Sequence, residues 1–248
     1  MKRLGLEQPV LHWITPRVLA ITGLFHAAGE AFGVNAGIIF TENSTIFIDC
    51  GMTIAAGELL WQTAYEQTGG DGDLTLILTH HHSDHVFGMQ ALRDKGARVI
   101  AHESVQKFLK DDNGQYKRFI MESYSLEGPQ GEVILGEVAL SLPDQIIKED
   151  TTLKFDEEAL HLLVTPGHVP DVLCVYHPAS GTRFAGDKIY EGMTPNTRFG
   201  GKNDWRIWVA QLERLKTLNI KVVCPGHGKL CHKDEIDRNI PFLRSLYV

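Results

Sequence analysis

From Thr79 the chain reads Thr-His-His-His-Ser-Asp-His-Val-Phe-Gly, so four strong metal donors, His80, His82, Asp84 and His85, fall within six consecutive residues. Imidazole and carboxylate together suit zinc, iron, manganese or nickel. The cluster directly follows the apolar run Leu74-Thr75-Leu76-Ile77-Leu78. That run predicts a buried strand delivering the donors at its C-terminal end, where open α/β sheets place their sites. A lone histidine is usually a surface or hydrogen-bonded residue. H-x-H-x-D-H at a strand end points to a metal, provided that distant residues complete the coordination.

Such residues are present. Val164-Thr165-Pro166-Gly167-His168 ends a second apolar segment with a proline-glycine turn and a histidine, and Phe184-Ala185-Gly186-Asp187 ends a third with an aspartate. A fourth, Val222-Val223-Cys224-Pro225-Gly226-His227-Gly228, runs from strand to tight turn to histidine. Glycine beside each donor lets the backbone pass close to a metal without a Cβ clash. The seven candidate ligands are enough for two ions.

The order H-x-H-x-D-H, T-P-G-H, G-D and P-G-H-G resembles the metallo-β-lactamase superfamily of metallohydrolases, from about Val34 to Gly228. The resemblance implies a four-layer αββα sandwich, an α/β fold, with the metals at one edge. It further implies that His80, His82 and His168 hold one ion, that Asp84, His85 and His227 hold the other, and that Asp187 bridges them. The two cofactors are then divalent ions, zinc foremost, with iron, manganese or nickel as alternatives.

Length and composition agree. A chain of 248 residues, 43% hydrophobic, can bury a sizeable core, and no linker, low-complexity run or fixed-period repeat divides it, so residues 1–248 read as one domain. The net charge of −7 argues against a nucleic-acid groove, which needs clustered Lys and Arg. The start of the chain is charged without an apolar signal region, and nowhere do eighteen apolar residues run consecutively. The expectation is a soluble, cytoplasmic protein with no membrane partner. Cys50, Cys174, Cys224 and Cys231 show no paired spacing and read as buried free thiols.

Segments 18–21, 36–40 and 45–49 read as successive strands, with Glu42-Asn43-Ser44 as a hairpin turn. Segments 53–66, 85–95 and 204–218 read as helices, the last with Trp205, Trp208, Leu212 and Leu215 on a core-facing stripe and Asp204 or Asn203 as N-cap. The glycine-flanked loop 23–33 carries Phe25, His26 and Phe32. In the superfamily such a loop can fold over the metals, which makes these three substrate-contact candidates. The alternative is a surface hairpin whose aromatics tuck into the sandwich. Residues 103–150, with a helical-looking 104–110, form an insertion where substrate specificity would lie or, alternatively, ordinary edge structure or a subunit contact. His81 matches no motif position and should point away from its two neighbours if the backbone is extended there.

Two divalent ions sharing a water lower its pKa towards ~7 and supply a hydroxide nucleophile, so no serine or cysteine is required. Asp84, bound through one oxygen, keeps the other to orient that nucleophile or move a proton to the leaving group. Asp187 stands where many class B lactamases carry cysteine, which argues against β-lactam hydrolysis. Glyoxalase II members usually show P-G-H-[ST]-x-G and a C-terminal helical domain. Here the sequence is Pro166-Gly167-His168-Val169-Pro170-Asp171, with a short tail after His227. Tyr190 lies three residues after Asp187, where lactone-cleaving members carry a tyrosine that contacts the substrate carbonyl; it is a catalytic and substrate-binding candidate, or else a packed aromatic. The reading is a dinuclear metal-dependent hydrolase of a small ester-like carbonyl: lactone, thioester or ester. The alternatives are a β-lactam hydrolase, an iron-dependent oxygenase of the persulfide-dioxygenase type, and a non-catalytic metal-bound binding protein.

Overall fold

A computed structural model of the chain describes residues 9–29, 33–110 and 114–248. Two sheets form. The first comprises β1 (Val10–Thr15), β2 (Val18–Leu24), β3 (Val34–Phe40), β4 (Ser44–Ile48), β5 (Asp73–Ile77), β6 (Arg98–His102) and β7 (Gln145–Ile147), in sequence order. Pairing is antiparallel through β4 and parallel from there to β7. The second comprises β8 (Thr151–Phe155), β9 (Glu158–Val164), β10 (Leu173–His177), β11 (Thr182–Gly186) and β12 (Val222–Pro225), antiparallel except for the β11–β12 pair. The expected hairpin at Glu42-Asn43-Ser44 closes with Thr41 N donating to Ser44 O at 2.9 Å. β1 was not legible in the sequence, because its exposure pattern has no strict alternation.

Strand alternation sorts side chains into three apolar layers. In β2, Leu19 and Ile21 face outward to helix α1 (Ile54–Thr68) and its neighbours, while Val18 and Ala20 face the second sheet. Phe47 against Ile46 and Ile48, and Leu76 against Ile77, divide the same way. From the other side Leu160, Leu162, Leu173, Val175 and Phe184 fill the central layer. Cys174, Ala185 and Val223 turn outward to meet Trp208, Leu212, Leu215, Ile236, Ile240 and Leu243. The result is the expected αββα sandwich. Each fully buried Leu or Ile contributes about 1.5–3 kcal/mol by leaving water, so the alternation fixes which face each strand presents.

α1 begins at Thr53, whose side chain accepts from Ala56 N, and ends at Gly69 with φ 68°. The helix predicted over 85–95 is instead two short ones, α2 (Ser83–Val86) and α3 (Met89–Arg93). The break has a cause at Gly88. Its N–H donates to Gly51 O at 3.0 Å, and a Cβ there would lie 2.0 Å from Cys50 O. The donor-bearing turn is thereby pressed onto the end of β4, where Cys50 N also donates to His85 O at 3.0 Å.

After β6 and a 3-10 turn at Glu103–Val105 come α4 (Gln106–Leu109), α5 (Gln115–Ser123) and α6 (Pro129–Leu135). Leu109, Ile120, Met121 and Leu135 from these helices join the first outer layer. α7 (Lys202–Leu215) starts earlier than predicted, with Gly201 as N-cap in place of Asp204 or Asn203. Asp204 reaches back instead to accept from Gly201 N at 2.8 Å. Its stripe is core-facing as expected, with Trp208, Leu212 and Leu215 buried and Trp205 partly so. The last helix is α8 (Glu235–Ser245).

Candidate metal centre

All seven candidate ligands converge at one edge of the sandwich. Past β5 the chain stays bonded to β6 through Leu78 N and Ile100 O at 3.0 Å, and then presents His80, with His82 capping α2 and Asp84 and His85 in its single turn. His168 leaves the loop after β9, Asp187 follows β11, and His227 follows β12. Gly226 makes the last approach possible, since a Cβ there would sit 2.0 Å from Asp187 Oδ1.

The donors form two groups, His80, His82, His168 and Asp187 in one and Asp84, His85 and His227 in the other, with the donor atoms of each group within 4.8 Å of one another. His82 Nδ1 lies 3.1 Å from His80 Nε2 and 3.2 Å from His168 Nε2. In the second group Asp84 Oδ2 lies 3.5 Å from His85 Nε2 and 3.2 Å from His227 Nε2. Asp187 straddles both. Its Oδ2 is 3.4 Å from His168 Nε2, and its Oδ1 is 3.3 and 3.4 Å from His85 and His227 Nε2.

Hydrogen bonds outside the groups set which nitrogen faces inward. His85 Nδ1 meets Asp49 Oδ2 at 2.7 Å, and His168 Nδ1 donates to Asn196 O at 3.0 Å, so each turns its Nε2 to the site. Asp49, at φ 59°, also accepts from Thr79 N and Oγ1, both at 2.7 Å. Asn35 Nδ2 donates to Pro225 O and Gly228 O at 2.9 and 3.0 Å and fixes the His227 loop. Lys188 Nζ, fully buried, donates to Pro166 O at 2.7 Å and ties the His168 loop to the segment carrying Asp187.

Charge divides between the groups. Burial, with neighbouring imidazoles, holds His80 well below the ordinary histidine range and His82 at about 3. Burial also lowers His168, although Asp187 opposes it. His85 is buried too, yet Asp84 and Asp49 beside it raise it well above that range, and Asp187 raises His227 against its own burial to about 10. Burial would raise Asp84 and Asp187, but His85 and His227 hold both well below the carboxylate range.

This donor set fits divalent cations. Three imidazoles held neutral by burial bring ring nitrogens together, His82 Nδ1 lying within 3.2 Å of the other two, a buried polar cluster that a cation would satisfy. His85 Nε2 and Asp187 Oδ1, both facing the site, are each buried without a hydrogen bond of proper geometry. With nitrogen and carboxylate donors and no thiolate, zinc, iron, manganese and nickel all suit the set.

The remaining candidates are placed as follows. His26 Nε2 is 3.6 Å from Asp84 Oδ2, its side chain is 8% exposed, and its ring lies edge-on to His227 and Tyr124 at 5.8 and 5.6 Å. Phe25 packs against the first outer layer, and Phe32 lies outside the described residues. Tyr190 is buried and its hydroxyl donates to Asp187 Oδ2 at 2.5 Å. His81 is not among the donor groups and bonds to Asp171 instead. Phe199, which no motif marks, is 54% exposed, and its ring centroid lies 4.4 Å from that of His82 and 5.5 Å from that of His168. All four cysteines are free thiols, and Cys224 lies in the central layer, not among the donors. Among the described residues no helix is long and apolar enough to cross a membrane.

The family model of the metallo-β-lactamase superfamily matches residues 29–227. The chain belongs to that superfamily. Membership and the gathered donor set together make it a metal-dependent hydrolase. It is 27% identical over 196 residues to the probable metallo-hydrolase YqgX of Bacillus subtilis, covering 78% of this chain and 84% of that one. It is also 27% identical over 218 residues to an atrochrysone carboxyl ACP thioesterase of Aspergillus terreus, covering 87% of this chain and 55% of the thioesterase. The fold matches a metallo-β-lactamase from Pontibacter korlensis with a TM-score of 0.72 and 21% identity, covering 96% of this chain and 99% of that one.

Proposed function

We propose that the chain uses two divalent ions, zinc by preference, to hydrolyse an ester-like carbonyl, with acyl thioesters first, then esters and lactones. The observation that carries this reading is Asp187, whose two oxygens each lie 3.3–3.4 Å from donors of a different group, as a bridging ligand requires. His80, His82 and His168 would hold one ion and Asp84, His85 and His227 the other. Bound there, two such ions acidify a shared water and polarise a carbonyl oxygen.

The chain's own groups supply the rest. Asp84 accepts a proton or orients the attacking oxygen through whichever carboxylate oxygen coordination leaves free. Tyr190 offers a hydroxyl beside Asp187 for the developing oxyanion. Phe199 presents an exposed apolar face next to His82 and His168, suited to the acyl part of a substrate. His26 from the 23–33 loop and Tyr124 from the 103–150 segment meet ring to ring at 5.6 Å on the other flank and would select the leaving group. The name of the Aspergillus terreus relative supports thioesters over lactones. Four free thiols suit a reducing compartment, and we place the protein in the cytoplasm.

The decisive experiment pairs metal analysis of the isolated protein with a chromogenic panel of acyl thioesters, esters, lactones and cephalosporins. The expected result is about two ions per chain and turnover highest on thioesters. Iron accompanied by oxygen consumption and no hydrolysis would replace this reading with an oxygenase, and absence of any turnover would replace it with a binding role.

A further inference from the structure

His81 sits between two donors, yet its bonds lead elsewhere. Its N–H donates to Asp171 Oδ2 at 2.9 Å, and its Nδ1 lies 2.9 Å from Asp171 Oδ1. The contact is two-pointed and buried, with side-chain exposures of 9% and 1%. A carboxylate so buried is costly unless N–H groups satisfy it, and here a backbone donor and a ring donor do so. The ring is also held in place from outside. Phe108 stacks on it at 3.5 Å and 5°, and Tyr116 donates its hydroxyl to His81 O at 3.1 Å.

Asp171 belongs to the other arm of the first donor group. It lies three residues after His168, at the position where the P-G-H-[ST]-x-G pattern has glycine. Its loop is closed by Thr165 N to Val172 O at 2.8 Å and joined to the first arm by Leu173 N to Thr79 O at 2.7 Å. The backbone tie fixes the bases of the two loops. The carboxylate adds a second tie beyond that base, at His81, the residue next to His82, whose Nδ1 comes within 3.2 Å of His168 Nε2.

We propose that His81 and Asp171 are a positioning pair that sets the spacing between the His80/His82 arm and the His168 arm, and with it the affinity of that donor group for its ion. The proposal rests on reading those three histidines as ligands. It assigns a role to the third histidine of the H-H-H run and to the aspartate that departs from the glycine pattern.

The test titrates metal-free protein with Zn2+ in competition with a chelator, for the parent chain, Asp171→Ala, His81→Ala and His81→Asn. In Asp171→Ala and His81→Ala one of the two ions should bind about 10–100-fold more weakly while the other is unchanged, the range for loss of a group that orients a ligand. In His81→Asn the amide nitrogen takes the place of Nδ1, so binding should return to within about 3-fold of the parent, against the range lost on truncation. Combining Asp171→Ala with His81→Ala should add little, because the two act as one unit. Unchanged affinity, or equal weakening of both ions, would overturn the pair as a positioning device. So would failure of His81→Asn to rescue. Should Asp171→Ala not fold, Asp171→Asn, which keeps one acceptor, takes its place under the same outcomes. A parent chain that takes up no Zn2+ would overturn the metal reading instead.

Discussion

His85 Nδ1 and Asp49 Oδ2 lie 2.7 Å apart at the base of the site, both buried, and the same carboxylate holds Thr79 through two further bonds of 2.7 Å. Asp49 therefore orients a second-group donor and anchors the segment that leads to the first group. Asp49→Asn keeps the shape but replaces one acceptor with a donor, leaving a buried N–H without an acceptor. The expected outcome is a loss of about 10–100-fold in zinc affinity and of roughly 1–3 kcal/mol in the stability of the metal-free protein. Chelator competition and denaturant unfolding measure both. Parent-like values in each would remove Asp49 from the support of the site.

The charge division predicts proton release. In metal-free protein at neutral pH, His85 and His227 are protonated, the latter up to about 10, whereas His80, His82 and His168 are neutral. Raised histidines stabilise the metal-free fold fully below the unfolded value of about 6.5, and His227's contribution fades as pH rises through its folded value. His82 has the opposite sign. Its folded value of about 3 lies below the unfolded one, so its contribution is lost as pH falls from about 6.5. Binding zinc must displace the two protons at Nε2, so affinity should rise with pH and about two protons should leave per loaded chain near pH 7. Calorimetry in buffers of different ionisation enthalpy counts them. A heat of binding independent of buffer would mean that His85 and His227 are neutral beforehand.

Asp187→Asn tests the bridge. The amide can still coordinate through oxygen but cannot neutralise two ions, so occupancy of the second group should fall and turnover should drop at least ~10-fold. Gly226→Ala should do something similar by a different route, since its Cβ would occupy the space of Asp187 Oδ1 at 2.0 Å. Metal stoichiometry measured beside the rate distinguishes loss of the ion from loss of chemistry. Full occupancy and full rate in Asp187→Asn would take the bridge away.

The donors were legible because each ends an apolar strand and stands beside glycine or within a dense polar cluster, signals that are local. What supports them was not. Asp49 serves His85 from 36 residues away, and Asn35 reaches the His227 loop across 190 and 193 residues, separations at which one sequence gives no pairing. The helix expected over 85–95 divides in two for a related reason. Its apolar pattern is continuous, but Gly88 is held by the backbone of Gly51, a contact that only the folded sheet creates. Phe199 carries no local signal, because it lies in a glycine-rich loop outside every motif. The layers were clearer than the turns, since alternation such as Leu19 against Ala20 is written in the strand itself.

Phe199 offers a specificity test. Its ring is more than half exposed, yet it packs beside two donor imidazoles, so truncation should barely affect folding and should weaken binding of an apolar acyl group. Phe199→Ala is expected to raise KM about 5- to 30-fold for a long-chain acyl substrate, equivalent to roughly 1–2 kcal/mol of apolar contact, and to leave KM for an acetyl substrate within about 2-fold. Equal effects on both chain lengths would deny Phe199 a part in acyl recognition.

Tyr190 lies against both His227 and Asp187. Its ring is 4% exposed and lies 6.2 Å, near parallel, from that of His227, while burial and Asp187 raise its phenol well above the usual range. The hydroxyl is therefore a neutral donor, bonded to Asp187 Oδ2 at 2.5 Å. To serve an oxyanion on a bound substrate it would have to give up that bond to Asp187. Tyr190→Phe preserves the packing and deletes the donor. If the hydroxyl serves the transition state, kcat should fall by about 5- to 150-fold, or ~1–3 kcal/mol, with metal content and KM little changed. If it serves only to orient Asp187, the second ion should bind more weakly, and saturating zinc should restore the rate. Equal turnover in Tyr190→Phe and the parent chain, on a substrate for which chemistry limits the rate, would leave Tyr190 as packing alone.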